Sequence, residues 1–234
     1  IKPDYAEVHY NLGNTLKELS QLEAAVKSYE QALAIKPDYA EAHSNLGNTL
    51  KELGQLETAV KSYEQALAIK PNFAEAHSNL GLTLHELGQL ESAVKSYEQA
   101  LAIKPNFAEA HSNLGNTLKE LGQLEATVKS YEQALAIKPN FAEAHSNLAL
   151  TLLAKGLRKD ALHHFNRSLD LIRGENPVDP KHKSLWAISK AKMNHDIEQF
   201  KYLAASGYGT ERYQALAKLY KSVSSEIDWA LDTD

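Results

Sequence analysis

From Ala40 to Leu53 the apolar residues Ala42, Leu46, Leu50 and Leu53 recur at spacings of three and four, with polar residues between them. That period puts them on one stripe of a helix. Gly54 breaks the pattern and suits the left-handed residue that closes a helix C-terminus. A second stripe, Leu56, Val60, Tyr63 and Leu67, predicts a helix over 55–69. Lys70-Pro71-Asn72 ends it, because proline cannot continue a helix and pushes the residue before it out of helical geometry. The unit is a helix–turn–helix. Neither helix can bury its stripe alone, so such units must stack.

The same pattern is written again and again. Near-identical blocks start at Ala6, Ala40, Ala74 and Ala108, a period of 34 residues, and a drifted copy starts at Ala142. The blocks at Ala40 and Ala108 differ only at Thr58/Ala126 and Ala59/Thr127. A fixed period of this length predicts a solenoid, whose product is an extended surface rather than a closed pocket. Ile1-Lys2-Pro3-Asp4-Tyr5 copies Ile35-Lys36-Pro37-Asp38-Tyr39, so residues 1–5 are expected to be the tail of a truncated upstream repeat. Five repeats are expected at 6–39, 40–73, 74–107, 108–141 and 142–173. The last has drifted, with Ala149, Ser168 and Arg173 where earlier blocks have Gly, Ala and Pro. A linker over 174–180 and capping helices over 181–234, anchored by Trp186 and Trp229, complete the expected organisation.

The first three blocks carry Leu-Gly, Leu, Ala, Tyr, Ala and Pro at fixed offsets, Leu46-Gly47, Leu50, Ala59, Tyr63, Ala66 and Pro71 in the second, and the fourth block departs from the set only at Thr127. This resembles the tetratricopeptide repeat (TPR) family. The resemblance implies an all-α, right-handed superhelical solenoid, in which small Gly47, Ala59 and Ala66 let helices approach and Tyr63 fills the space beside them. One departure is systematic: His9, His43, His77, His111 and His145 stand where the family has an early Trp. One histidine per repeat, on helices about 8–10 Å apart, cannot converge on a metal whose ligands lie about 2 Å away. Packing or surface roles are expected, with no metal.

Composition narrows the function classes. The chain is 43% apolar with a formal net charge of −5, which suits a folded protein and argues against nucleic acid as a partner. It has no cysteine, which excludes disulfides and thiolate zinc sites. Its apolar runs, such as Leu152-Leu153-Ala154, are too short to span a bilayer. A cytoplasmic location is the default expectation. Nucleotide-binding and nucleophile-elbow glycine motifs are absent, and His163-His164 lack a carboxylate at ligand spacing. No catalytic residue and no cofactor is expected. Carboxylates are expected to pair within helices, as Glu57 with Lys61.

The resemblance implies that the first helix of each unit lines a concave groove through its second, fifth, sixth, ninth, twelfth and thirteenth positions. In the second block these are Glu41, Ser44, Asn45, Asn48, Lys51 and Glu52. The sixth position is asparagine throughout: Asn11, Asn45, Asn79, Asn113 and Asn147. Asparagine is a mediocre helix former, and its amide matches a peptide bond's donor and acceptor. The row is similar to the asparagine ladder of the O-linked N-acetylglucosamine transferase array, which implies an extended peptide held by its backbone. Inheritance by recent duplication is the competing explanation. Asn48, Asn116, Lys51 and Lys119 join the expected peptide-binding set, as do Leu82 and His85, which replace Asn48 and Lys51 in the third block. Chaperone-tail binding is rejected: the second position is glutamate (Glu7, Glu41, Glu75, Glu109, Glu143), not the clamp's lysine. A protein- or peptide-binding scaffold is therefore expected. The alternatives are a docking arm of a larger enzyme, of the kind joined to a glycosyltransferase or oxygenase domain in bacterial arrays, and weak homo-oligomerisation by end-to-end stacking.

Overall fold

The computed structural model describes residues 4–173. The expected linker and capping helices, with Trp186 and Trp229, lie outside the described residues. Those described form ten helices and no strand, in the order α1 (Asp4–Glu18), α2 (Leu22–Ile35), α3 (Ala40–Glu52), α4 (Leu56–Ile69), α5 (Ala74–Glu86), α6 (Leu90–Ile103), α7 (Ala108–Glu120), α8 (Leu124–Ile137), α9 (Ala142–Ala154) and α10 (Arg158–Arg173). They fall into two compact units that divide between Ile137 and Lys138.

In the first unit each odd-numbered helix packs on the even-numbered helix that follows it, and each even-numbered helix packs on the next odd-numbered one. This is the helix-pair stacking of a TPR solenoid. The spacing inside a pair is set by one contact. Tyr63 is fully buried, and a Cβ built on Gly47 would lie 2.8 Å from its ring. Any larger residue at Gly47 would push the ring out of its seat. Tyr29 sits on Gly13, Tyr97 on Gly81 and Tyr131 on Gly115 in the same way. Ala59 and Ala66 flank the ring with no exposure at all.

The turn inside each pair closes as expected at Gly54. Gly54 N–H donates to the Lys51 carbonyl and Gln55 N–H to the Leu50 carbonyl, so two carbonyls at the helix end are satisfied. This needs a left-handed residue, and Gly54, Gly88, Gly122 and Gly156 have φ of +73°, +73°, +72° and +79°. The first repeat makes the same two bonds with Ser20 at φ +57°. The turn between pairs is held differently. His43 Nε2–H donates to the Pro37 carbonyl at 2.9 Å, and His77, His111 and His145 repeat the bond to Pro71, Pro105 and Pro139 at 3.0 Å. The lysine before each proline lies over the aromatic ring that opens the next helix, as Lys70 over Phe73 at 4.5 Å. The recurring histidine is therefore a turn fastener.

The outer face of α1 is apolar and uncovered: Tyr5 is 58% exposed, Val8 59% and Leu12 46%, whereas the equivalent Ala42 and Leu46 of α3 are buried. In the second unit α9 packs on α10. Its departures are coordinated, with buried Ala149 for glycine and buried Phe165 for tyrosine. Ser168 uses its hydroxyl to donate to the Ala142 carbonyl at 3.0 Å.

Ser20 adopts a backbone conformation that costs a residue with a Cβ about 1–2 kcal/mol and glycine almost nothing. Ser20→Gly should therefore stabilise the protein by about 1 kcal/mol in urea unfolding. A neutral or destabilising result would show that the Ser20 side chain contributes a compensating interaction.

Candidate functional site: an amide row across the first helices

The sixth- and ninth-position asparagines meet across the repeat boundary. The Tyr63 hydroxyl donates to Asn48 Oδ1 at 2.7 Å, and Asn79 Nδ2, on the next repeat, donates to the same oxygen at 2.9 Å. One repeat earlier, Tyr29 donates to Asn14 Oδ1 at 2.8 Å and Asn45 Nδ2 to the same oxygen at 2.9 Å. The chain of bonds runs from the second helix of one repeat, through its first helix, to the first helix of the next. Burial pushes the Tyr29 hydroxyl up to about 12, and Tyr63 is also raised chiefly by burial, so both stay protonated and donate. An amide oxygen with two lone pairs can accept both bonds, and this fixes which way Asn14 and Asn48 point.

The structure thus gives the asparagines an internal use that spacing alone does not show. Their unused capacity differs. Asn45 spends its second N–H on the Tyr10 hydroxyl at 3.0 Å and keeps its oxygen. Asn79 keeps one N–H and its oxygen. Asn113 uses neither, because Leu82 stands where the acceptor oxygen would be. Among the described residues no side-chain hydrogen bond reaches the Asn113 amide. Asn116 repeats the tyrosine bond, with the Tyr131 hydroxyl 2.6 Å from its Oδ1. Asn11 is exposed at the outer end of the row, and Asn147 is buried in the second unit.

The other expected groove residues divide. The fifth-position serines are not on an open face: Ser44, Ser78 and Ser112 are at most 5% exposed. Tyr10, the exception, packs its ring on Tyr39 at 4.9 Å, where it also caps Asn45. Leu82 is half-buried against the core. Twelfth- and thirteenth-position residues form a line of bridges between repeats: Lys17 to Glu52 at 2.9 Å, Lys51 to Glu86 at 3.7 Å and His85 to Glu120 at 3.0 Å. Lys119 is half-buried at the same register. The expected Glu57–Lys61 pairing is not among the ion pairs of the described residues. Both side chains are exposed, and water competes for them on equal terms. Glu41 pairs instead with Lys70 at 2.8 Å, and this hydrogen bond holds its carboxyl below the usual range; Glu75 does the same with Lys104.

In the second unit His145 and His164 face each other, Nδ1 to Nδ1, at 2.9 Å. A carbonyl can only accept, so the Pro139 bond puts the proton of His145 on Nε2. His145 Nδ1 is then the acceptor and His164 Nδ1–H the donor. Burial first, then the charges of His145 and His163, push His164 down to about 4; burial also lowers His145. Among the described residues no group of three or more metal-ligating side chains is suitably placed for an ion.

A model described as the TPR repeat matches residues 13–54, 47–88, 81–122 and 115–156, each window starting 34 residues after the last. Together the windows cover more than half of the chain. The chain belongs to the TPR repeat family. Solved structures agree on the fold of this TPR chain. A crystal structure of MamA is 25% identical, with a TM-score of 0.65, covering 68% of this chain and 93% of that one. The thermophilic TPR protein TTC0263 of Thermus thermophilus is 25% identical, with a TM-score of 0.60 and coverage of 77% and 98%. YrrB, described as a TPR protein with an unusual peptide-binding site, is 24% identical, with a TM-score of 0.61 and coverage of 71% and 86%. A comparison with curated protein sequences gave no match. No helix among the described residues is long and apolar enough to cross a membrane.

Two stability effects follow. Asn79→Ala removes one neutral hydrogen bond and should cost about 0.5–1.5 kcal/mol, whereas Asn48→Ala leaves the buried Tyr63 hydroxyl without its acceptor and should cost about 1–3 kcal/mol. Urea titration of the two variants checks the order; equal or inverted values would show that the relay is not the coupling element. The histidine pair is neutral in the folded state and titrates near about 6.5 when unfolded. Its contribution is therefore complete above about pH 6.5 and is lost as pH falls toward about 4. The midpoint of thermal unfolding should drop more between about pH 7.5 and about pH 5 in the parent than in His164→Phe. Parallel profiles would dissociate the pair from acid sensitivity.

Proposed function

We propose that this TPR array is a scaffold that holds an extended segment of a protein or peptide partner along the face formed by α1, α3, α5 and α7. The observation that carries the reading is the Asn79 amide. One N–H is fixed on Asn48 Oδ1, so the side chain is already oriented, and its second N–H and its oxygen remain for a peptide group. A fixed amide loses little freedom when it binds, which favours affinity. An extended chain rising about 3.3 Å per residue meets a row spaced about 8–10 Å roughly every third residue. Backbone recognition of this kind tolerates varied side chains. Of the second-position glutamates, Glu41 and Glu75 are engaged by Lys70 and Lys104, and nothing in that arrangement attracts a terminal carboxylate.

Removing the asparagines with spare donors tests the reading. The double variant Asn79→Ala/Asn113→Ala deletes two peptide bonds' partners, about 1–3 kcal/mol together, and should weaken a partner isolated from the source cell about five- to 150-fold. Far-ultraviolet circular dichroism must show retained helix. Unchanged affinity in a folded variant would mean that the amides serve only the relay.

A further inference from the structure

The third repeat breaks the relay in a way that the fifth does not. In the fifth repeat the ninth-position asparagine and the tyrosine change together, to Leu150 and Phe165, so no hydroxyl is left seeking an acceptor. In the third repeat only the asparagine changes. Leu82 replaces it, while Tyr97 keeps its hydroxyl and Asn113 keeps its amide on the far side of the boundary. Among the described residues neither makes the bond that Tyr63 and Asn79 make to Asn48. The change is also not a loss of fit, since Leu82 packs against the same core cluster as its neighbours. Next to it His85 replaces the lysine of the adjacent repeats and hydrogen-bonds Glu120 at 3.0 Å.

The geometry points to the Leu82–Asn113 boundary as the anchoring subsite of the array, taking an apolar residue of an extended peptide on Leu82 while the backbone carbonyl beside it accepts from the Asn113 amide. The inference rests on the scaffold reading above and adds where the partner is gripped and by what residue type. Its basis is a gradient along one face. Asn45 has both N–H groups committed inside the protein, Asn79 has one, and Asn113 has none. A peptide segment at Asn113 meets two uncommitted N–H groups and the oxygen, where Asn79 offers one N–H and its oxygen and Asn45 only its oxygen. A half-buried leucine at that point adds apolar contact that an asparagine would not, and removing such surface from water is favourable. The Glu120 carboxylate nearby disfavours acidic residues at the neighbouring peptide position.

The test is selection of a displayed library of random peptides, each about twelve residues long to span the row at about 3.3 Å per residue, on the full chain. The enriched peptides are then titrated against four variants. Asn113→Ala should weaken them about tenfold. Leu82→Asn copies the residue of the sister repeats Asn14, Asn48 and Asn116, so it should fold. It should raise the thermal midpoint by restoring the relay, and it should also weaken the peptides. Asn45→Ala should leave them within about twofold, and Asn79→Ala between the two. Enriched sequences should share one apolar position. Equal losses in Asn45→Ala, Asn79→Ala and Asn113→Ala would overturn the anchor and leave the ladder standing. No loss in any of them, or no enriched peptide at all, would overturn both.

Discussion

A tyrosine ring seated where a Cβ would be is the contact on which the rest of this array depends. With Gly47 under Tyr63 the two helices of a repeat come close enough for Ala59 and Ala66 to vanish from solvent. The same seat carries the phenol to the ninth position of the first helix, so that its hydroxyl reaches Asn48. Close packing thus sets a hydrogen bond, and the hydrogen bond sets the amide that the next repeat reads. A nonpolar constraint inside one unit becomes a polar link between two. Buried polar links of this type hold register as well as adding stability, since an amide one residue out of place finds no partner.

Much of this was legible in the residues. The spacing of Leu46, Leu50, Leu56 and Tyr63 defines both helices to within a residue, Gly54 marks the left-handed cap, and Pro71 marks the boundary. Those signals are local, and local backbone preferences report them directly. The partners of Asn45 were not legible, because Asn14 lies 31 positions away and the bond exists only once two repeats are stacked. A signal was present nonetheless: the ninth position is asparagine in three of the four blocks that keep the tyrosine, Leu82 being the exception, and becomes Leu150 in the block where the tyrosine becomes Phe165. Ser44 was misplaced on an open face for a related reason. Its place on the helix follows from the sequence, but its burial is settled only once the helices are packed. The histidines were read as packing residues without their partner, the proline carbonyl of the preceding turn.

The turns between repeats are built as heavily as the helices. A histidine, a proline carbonyl and a lysine over an aromatic ring recur at each of them, as at His77, Pro71, Lys70 and Phe73. Each contribution is small alone. Together they hold one pair against the next in the same way at each of these turns.

Near-identity of the repeats has a kinetic consequence. Because α4 and α6 present almost the same face, α5 or α7 can dock on either with nearly all contacts satisfied. Slippage by a whole repeat loses little, so the folding chain meets traps close in energy to the native arrangement. Only the few odd residues distinguish one boundary from another. Tyr10, whose hydroxyl caps Asn45 and whose ring rests on Tyr39, labels the first boundary and gives the array a place from which to count.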